Sequence, residues 1–135
     1  MIFRAIPLFV VLLVAYNIAM LTGDINATLA AEMYSVGLVS GAQWSFTVSD
    51  LYIILGVFIL YIEVFKSTRT GVASVLDHTL SMVVFVLFLI EFLVVKDCGT
   101  STFFILGLMS LLDVIAGFTV SIVAARRDFS FHGGE

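Results

Sequence analysis

Four apolar runs, each close to the length that crosses a lipid bilayer, narrow the folds open to this chain more than any other feature. A helix needs about 20 mostly apolar residues to cover the hydrocarbon core. Residues 5–21, 48–65, 75–95 and 102–125 qualify, and each run stops on polar punctuation: Thr22-Gly23-Asp24, Lys66, Lys96-Asp97 and Arg126-Arg127. The 135 residues are 61% hydrophobic and 12% charged, with a mean hydropathy of +1.20. Soluble domains usually carry about 25% charged residues. A small soluble domain also has too much surface for its volume to hide so much apolar area. The expected fold class is an all-α integral membrane protein, a four-transmembrane-helix bundle in a single domain over residues 1–135.

The first run opens like a secretory leader, with Arg4 ahead of an apolar stretch. No small-residue cleavage site follows it cleanly, and three further runs come after, so it reads as a retained first helix. Pro7 suits the first turn of that helix, where a missing N–H is harmless. Cytoplasmic flanks are enriched in Lys and Arg. Arg4, Lys66, Arg69, Arg126 and Arg127 fall on one side of an alternating chain, and only Lys96 falls on the other. That distribution predicts both termini inside (N-in/C-in). The compact plan suggests a bacterial inner membrane, where the glycosylation sequon Asn26-Ala27-Thr28 would be a chance match.

Two connections are short and force antiparallel neighbours. The third, outer loop 22–47, is long enough to fold. Residues 25–32 could form an interfacial helix. Beyond it, the β-prone runs 33–39 and 43–48 flank Ser40-Gly41-Ala42, which is a hairpin signal. Trp44 and Phe46 would share one strand face, because residues two apart do. Tyr34, Trp44 and Phe46 are the candidate partner-docking residues of this loop.

Ionisable groups at membrane depth cost about 2.5–3.5 kcal/mol on insertion scales, so each demands a function or a polar partner. Asp113 is the sharpest case. It sits mid-way along the fourth run, with no basic residue inside a span to neutralise it. Thr102, Leu106, Met109, Ser110 and Gly117 share its side of a helix. Asp77 and Glu91 lie 14 residues apart on the third run, roughly 21 Å along the axis. Antiparallel packing would gather Asp50, Glu91 and Asn17 at the outer level and Glu63, Asp77 and His78 at the inner one. With Asp113 between them, these groups sketch a stepped polar path, of the kind that relays protons. Simpler roles also exist. Asp50 suits a helix start, as does Asp77 with Ser74, and Glu63 could snorkel beside Lys66.

Other chemistry finds little footing. His78 is the one histidine near a span, so a bis-histidine haem lacks a second ligand. No Ser-His-Asp, Cys-His, phosphate-loop or HExxH pattern occurs, so no enzyme activity, cofactor or metal site is expected. Cys98 is alone and reads as incidental. Half of the ten carboxylates lie in or beside the spans, so the low pI describes no acidic surface and no nucleic-acid partner. The tail 128–135 reads as mobile or partner-bound. The expected partners are the lipid bilayer and either a protein partner or further copies of the chain. Two functions fit: a non-enzymatic accessory or assembly subunit of a larger membrane complex, or a homo-oligomeric transporter or channel coupled to protons or cations.

Overall fold

The computed structural model describes residues 5–69 and 71–133. Arg4, counted above toward the orientation, lies outside them. The order of elements is α1 (Phe9–Thr22), α2 (Ile25–Ala30), β1 (Glu32–Gly37), β2 (Gln43–Thr47), α3 (Val48–Lys66), α4 (Val72–Val94), a 3₁₀ turn (Lys96–Cys98) and α5 (Ser101–His132). The chain is mostly helical, with one two-stranded antiparallel sheet. Three helices are long and apolar enough to cross a membrane: α3, α4 and the Ser101–Arg127 part of α5.

The first helix differs from expectation. Leu8 is its N-cap, and Pro7 stands ahead of it with its carbonyl accepting from the Val10 N–H at 3.2 Å. Its 14 residues give about 21 Å of helix, less than the roughly 30 Å hydrocarbon core. At the other end of the chain, α5 runs on to His132, through most of the stretch expected to be a mobile or partner-bound tail. Arg126 and Arg127 end the apolar run but not the helix, because Ala and Arg are both strong helix formers.

The loop between α1 and α3 folds as expected. Asp24 caps α2 by accepting from the Asn26 and Ala27 N–H groups. The hairpin pairs Tyr34 with Phe46, Ser35 with Ser45 and Val36 with Trp44. Its turn closes by Leu38 N–H to Ala42 O at 2.8 Å, and Gly41 takes a positive φ of 86°, where a side chain would be strained. The base is clamped by Val48 N–H to Ala31 O at 3.1 Å.

Helix α5 packs along both α3 and α4. On α4 the buried face follows helical spacing: Asp77, Ser81, Val84 and Phe88. The expected stripe on α5 is inward, with Thr102, Leu106, Ser110, Asp113 and Gly117 all buried. Helix α1 puts Phe9, Leu12, Leu13 and Tyr16 in the same core as Phe88, Phe103 and Leu106. The core therefore places two sets of polar side chains at opposite ends: one around Lys66, the other near the hairpin.

Candidate functional site

The Lys66 end is built by the last turn of α3 and the second turn of α4. Glu63 and Lys66 are three residues apart, so both point to one side of α3. The Lys66 ammonium donates to Glu63 Oε1 at 3.1 Å, to Asp77 Oδ1 at 3.1 Å and to the Ile6 carbonyl at 3.0 Å. Glu63 Oε1 also accepts the Leu8 N–H at 2.8 Å, so this carboxylate receives the N-terminus of α1. Glu63 is 1% exposed and Asp77 5%, whereas the Lys66 side chain keeps 17%. A lysine thus bridges two buried carboxylates on different helices.

Two simpler readings are corrected here. Glu63 does not snorkel outward, because Lys66 and Leu8 hold it in the interior. Asp77 is not a cap of its helix: α4 begins at Val72 with Gly71 as N-cap, and no side chain caps it.

Asp113 reaches the same cluster from α5. It is 4% exposed. Glu63, Asp77 and Lys66 are the charged groups around it, and the Ser81 hydroxyl of α4 is its polar neighbour. Its Oδ2 is buried and has no hydrogen-bond partner among the described residues. The structure puts Asp113 near Glu63, Asp77 and Lys66, whereas the sequence pattern set it between the inner and outer levels.

His78, the next residue after Asp77, faces elsewhere. Its Nε2 bonds Ser121 of α5 at 2.7 Å and Ser74 at 3.3 Å, and its ring lies by Phe118. A Cβ at Gly117 would sit 2.7 Å from the ring, so glycine is what admits the histidine there. The imidazole opens on a cleft of about 380 Å³ with Arg69, Ser74 and Ser121 in its wall. The three-way grouping of Glu63, Asp77 and His78 is therefore split, because a helix turns by about 100° between adjacent residues.

The other polar set lies near the hairpin. Asn17 of α1 donates to Glu91 Oε2 at 2.8 Å and to the Leu13 carbonyl at 2.9 Å. Glu91 thus has a partner on another helix, the Asn17 that antiparallel packing sets at its level. Asp50 does not join it. Its Oδ2 accepts the Thr47 N–H at 3.0 Å and the Thr47 hydroxyl at 2.9 Å, and the Asp50 N–H returns to Thr47: a capping box. Cys98 is fully buried in the 3₁₀ turn, with Sγ 3.7 Å from Met20 Sδ and 3.8 Å from Glu91. Burial, together with the charges of Glu91 and Asp97, pushes its thiol up to about 11.

Among the described residues, no stepped polar path links the two ends. Leu8 and Asn17, which mark the two levels on α1, are nine residues or about 14 Å apart. Val84, Phe88, Phe103 and Leu106 are buried between the levels. Ser110 is the one buried polar side chain in that stretch of α5 among the described residues.

Outside the bundle, the hairpin has a second candidate site. The register puts Tyr34, Val36, Trp44 and Phe46 on one face and Ser35, Gln43 and Ser45 on the other. Tyr34 and Trp44 are exposed, and the Trp44 and Phe46 rings lie 5.8 Å apart. Leu38 and Val39 extend the apolar surface into the turn.

Sequence reasoning set Lys66 beside Glu63 but missed its bridge to Asp77, and it overlooked Tyr16. The signal for Lys66 was its spacing from Glu63, since a cation three residues on shares the carboxylate's face. Tyr16 donates to the Asp97 carbonyl at 3.0 Å and shares a 2.7 Å hydrogen bond with Thr100, which caps α5. Nothing local to a tyrosine in an apolar run announces that role. Compared with known proteins, the chain matches no family model, no curated protein and no solved structure.

Proposed function

We propose that this chain is a non-enzymatic subunit of a larger membrane complex that binds a protein partner through its outer hairpin. The single observation that carries the reading is the hairpin's exposed apolar face. A two-stranded hairpin is marginal in water by itself. This one has its base clamped by Ala31 and Val48, and it holds Tyr34, Trp44 and Phe46 on one side. Tyr and Trp are enriched at the centres of protein interfaces, where they provide large contact area at low entropic cost.

The same proposal places four crossings in the membrane, with both termini inside and a bacterial inner membrane as the host. Three long apolar helices support it, and α1 lies beside them with polar contacts at its start and just past its middle. The lysines and arginines support the orientation. The shorter apolar length of α1 is met by local thinning of the bilayer.

Native mass measurement in a mild detergent tests the docking role. The expected mass is that of a complex with another protein, falling to the bare chain when Tyr34, Trp44 and Phe46 are changed to serine. A wild-type protein that has only its own mass, with Trp44 fluorescence quenched by brominated lipid, refutes it. Trp44 is the one tryptophan, so the quenching reads this face alone.

A further inference from the structure

We propose that Asp113 is a proton-binding site that communicates with the Lys66 end of the bundle and is closed toward the hairpin end. The proposal is independent of the docking role and begins from a charge count. Glu63 and Lys66 from α3, and Asp77 from α4, face Asp113 and leave one net negative charge. Among the described residues, the segment ahead of α1 adds only dipoles, the Leu8 N–H and the Ile6 carbonyl. Asp113 is a third carboxylate in a cluster with one ammonium, and its Oδ2 is buried with no partner among the described residues. A structural role would be filled by an asparagine, which brings no charge into hydrocarbon. A buried carboxylate oxygen with no donor can accept one small cation.

The ligand is a proton rather than a metal ion. A metal ion needs several oxygens converging at coordination distance. Among the described residues no group of three His, Cys, Asp or Glu is placed to hold one. Ser81 adds a hydroxyl, but Lys66 already occupies the space between Glu63 and Asp77. Protonation needs only the free lone pair: the carboxylate and a hydronium ion give the carboxylic acid and water.

The geometry also sets the route. Lys66 is the member of the cluster that reaches the surface, with its side chain 17% exposed. In the other direction, the buried layer of Val84, Phe88, Phe103 and Leu106 separates Asp113 from the pair Asn17 and Glu91. Protons therefore arrive and leave by one end.

Infrared difference spectra of the intact protein in lipid nanodiscs, taken across a pH series, test the site through the C=O stretch of a protonated carboxyl. The expected result is a reversible band that disappears in Asp113→Asn and persists in Glu91→Gln. A band unchanged by Asp113→Asn overturns the assignment. Should that variant fail to fold, aspartate labelled with heavy carbon in its carboxyl is introduced into the unsubstituted protein. The band must then shift, and an unshifted band overturns the proposal equally. Vesicles holding the protein and a pH dye test the closed end. After a pH jump they are expected to leak protons no faster than protein-free vesicles. A faster flux that Asp113→Asn abolishes overturns the one-sided site.

Discussion

Replacing Lys66 with methionine isolates what the bridge contributes. Methionine keeps much of the apolar stem and removes the ammonium. Four hydrogen bonds go with it: two to Glu63, one to Asp77 and one to the Ile6 carbonyl. Glu63 retains the Leu8 N–H. Asp77 retains no side-chain hydrogen bond among the described residues. Breaking a buried ion pair by removing one partner costs about 3–5 kcal/mol, because a charge is left buried and uncompensated. Here two carboxylates lose one shared cation, and the lysine they lose is itself mostly shielded from solvent. A loss of about 3 kcal/mol or more is expected, a large fraction of the roughly 5–15 kcal/mol that holds a folded domain together. Unfolding in mixed detergent micelles, followed by circular dichroism, measures it. The neutral triple variant Glu63→Gln, Lys66→Met, Asp77→Asn should recover most of the loss, since replacing a whole buried ion cluster is often close to neutral. A Lys66→Met protein within about 1 kcal/mol of wild type refutes the reasoning, because buried carboxylates cannot lose their counterion so cheaply. A triple variant as unstable as the single one refutes it too, by showing that lost packing dominates.

Two glycines should answer differently to the same change. At Gly117 an added methyl meets the His78 ring at 2.7 Å, and the ring is pinned by Ser121, so Gly117→Ala should cost about 1–3 kcal/mol. At Gly56 the added methyl meets Met109 Sδ at 2.7 Å and Leu106 Cδ2 at 3.1 Å, both toward the ends of flexible side chains, so Gly56→Ala should cost under about 1 kcal/mol by the same unfolding assay. Equal losses would show that rigidity of the neighbour is not what decides the outcome. Cys98 supplies a pH test. Its thiol is raised from 9.0 to about 11, and a raised thiol is neutral, hence unreactive, below that pH. At pH 8 the two-unit rise lowers the thiolate fraction about 100-fold, so maleimide labelling should be at least that much slower in the folded protein than in detergent-unfolded chain. The folded rate should climb as pH approaches 11, and similar rates for folded and unfolded protein at pH 8 would contradict the burial.

What could be read from the residues follows a physical divide. Local signals were legible. Asp50 was legible as a helix-start residue, although the cap itself is Thr47, three residues ahead, in a capping box satisfied within one turn. The hairpin was legible because Gly41 sits between two β-prone runs whose alternation keeps Trp44 and Phe46 together. The inward stripe of α5 was legible because burial follows the 3.6-residue period. Helix α1 was not measured correctly, because apolar length says where lipid is tolerated, and Glu63 decides where the first N–H groups are received. The fate of each carboxylate was the least legible part. Glu63 and Glu91 look alike in sequence, each a lone acid in an apolar run. One meets a lysine three residues on and the other an asparagine from a helix 74 positions away. Partner choice is tertiary, and it turns a row of similar acids into two closed hydrogen-bonded groups and one open carboxylate. The chain's polar interior is thus unevenly finished: satisfied at Glu91, satisfied at Glu63 and Asp77, and left incomplete at Asp113. An incomplete partner set in hydrocarbon is costly to retain. Its retention beside a lysine that reaches the protein surface makes that carboxylate the place where the helices can respond to their surroundings.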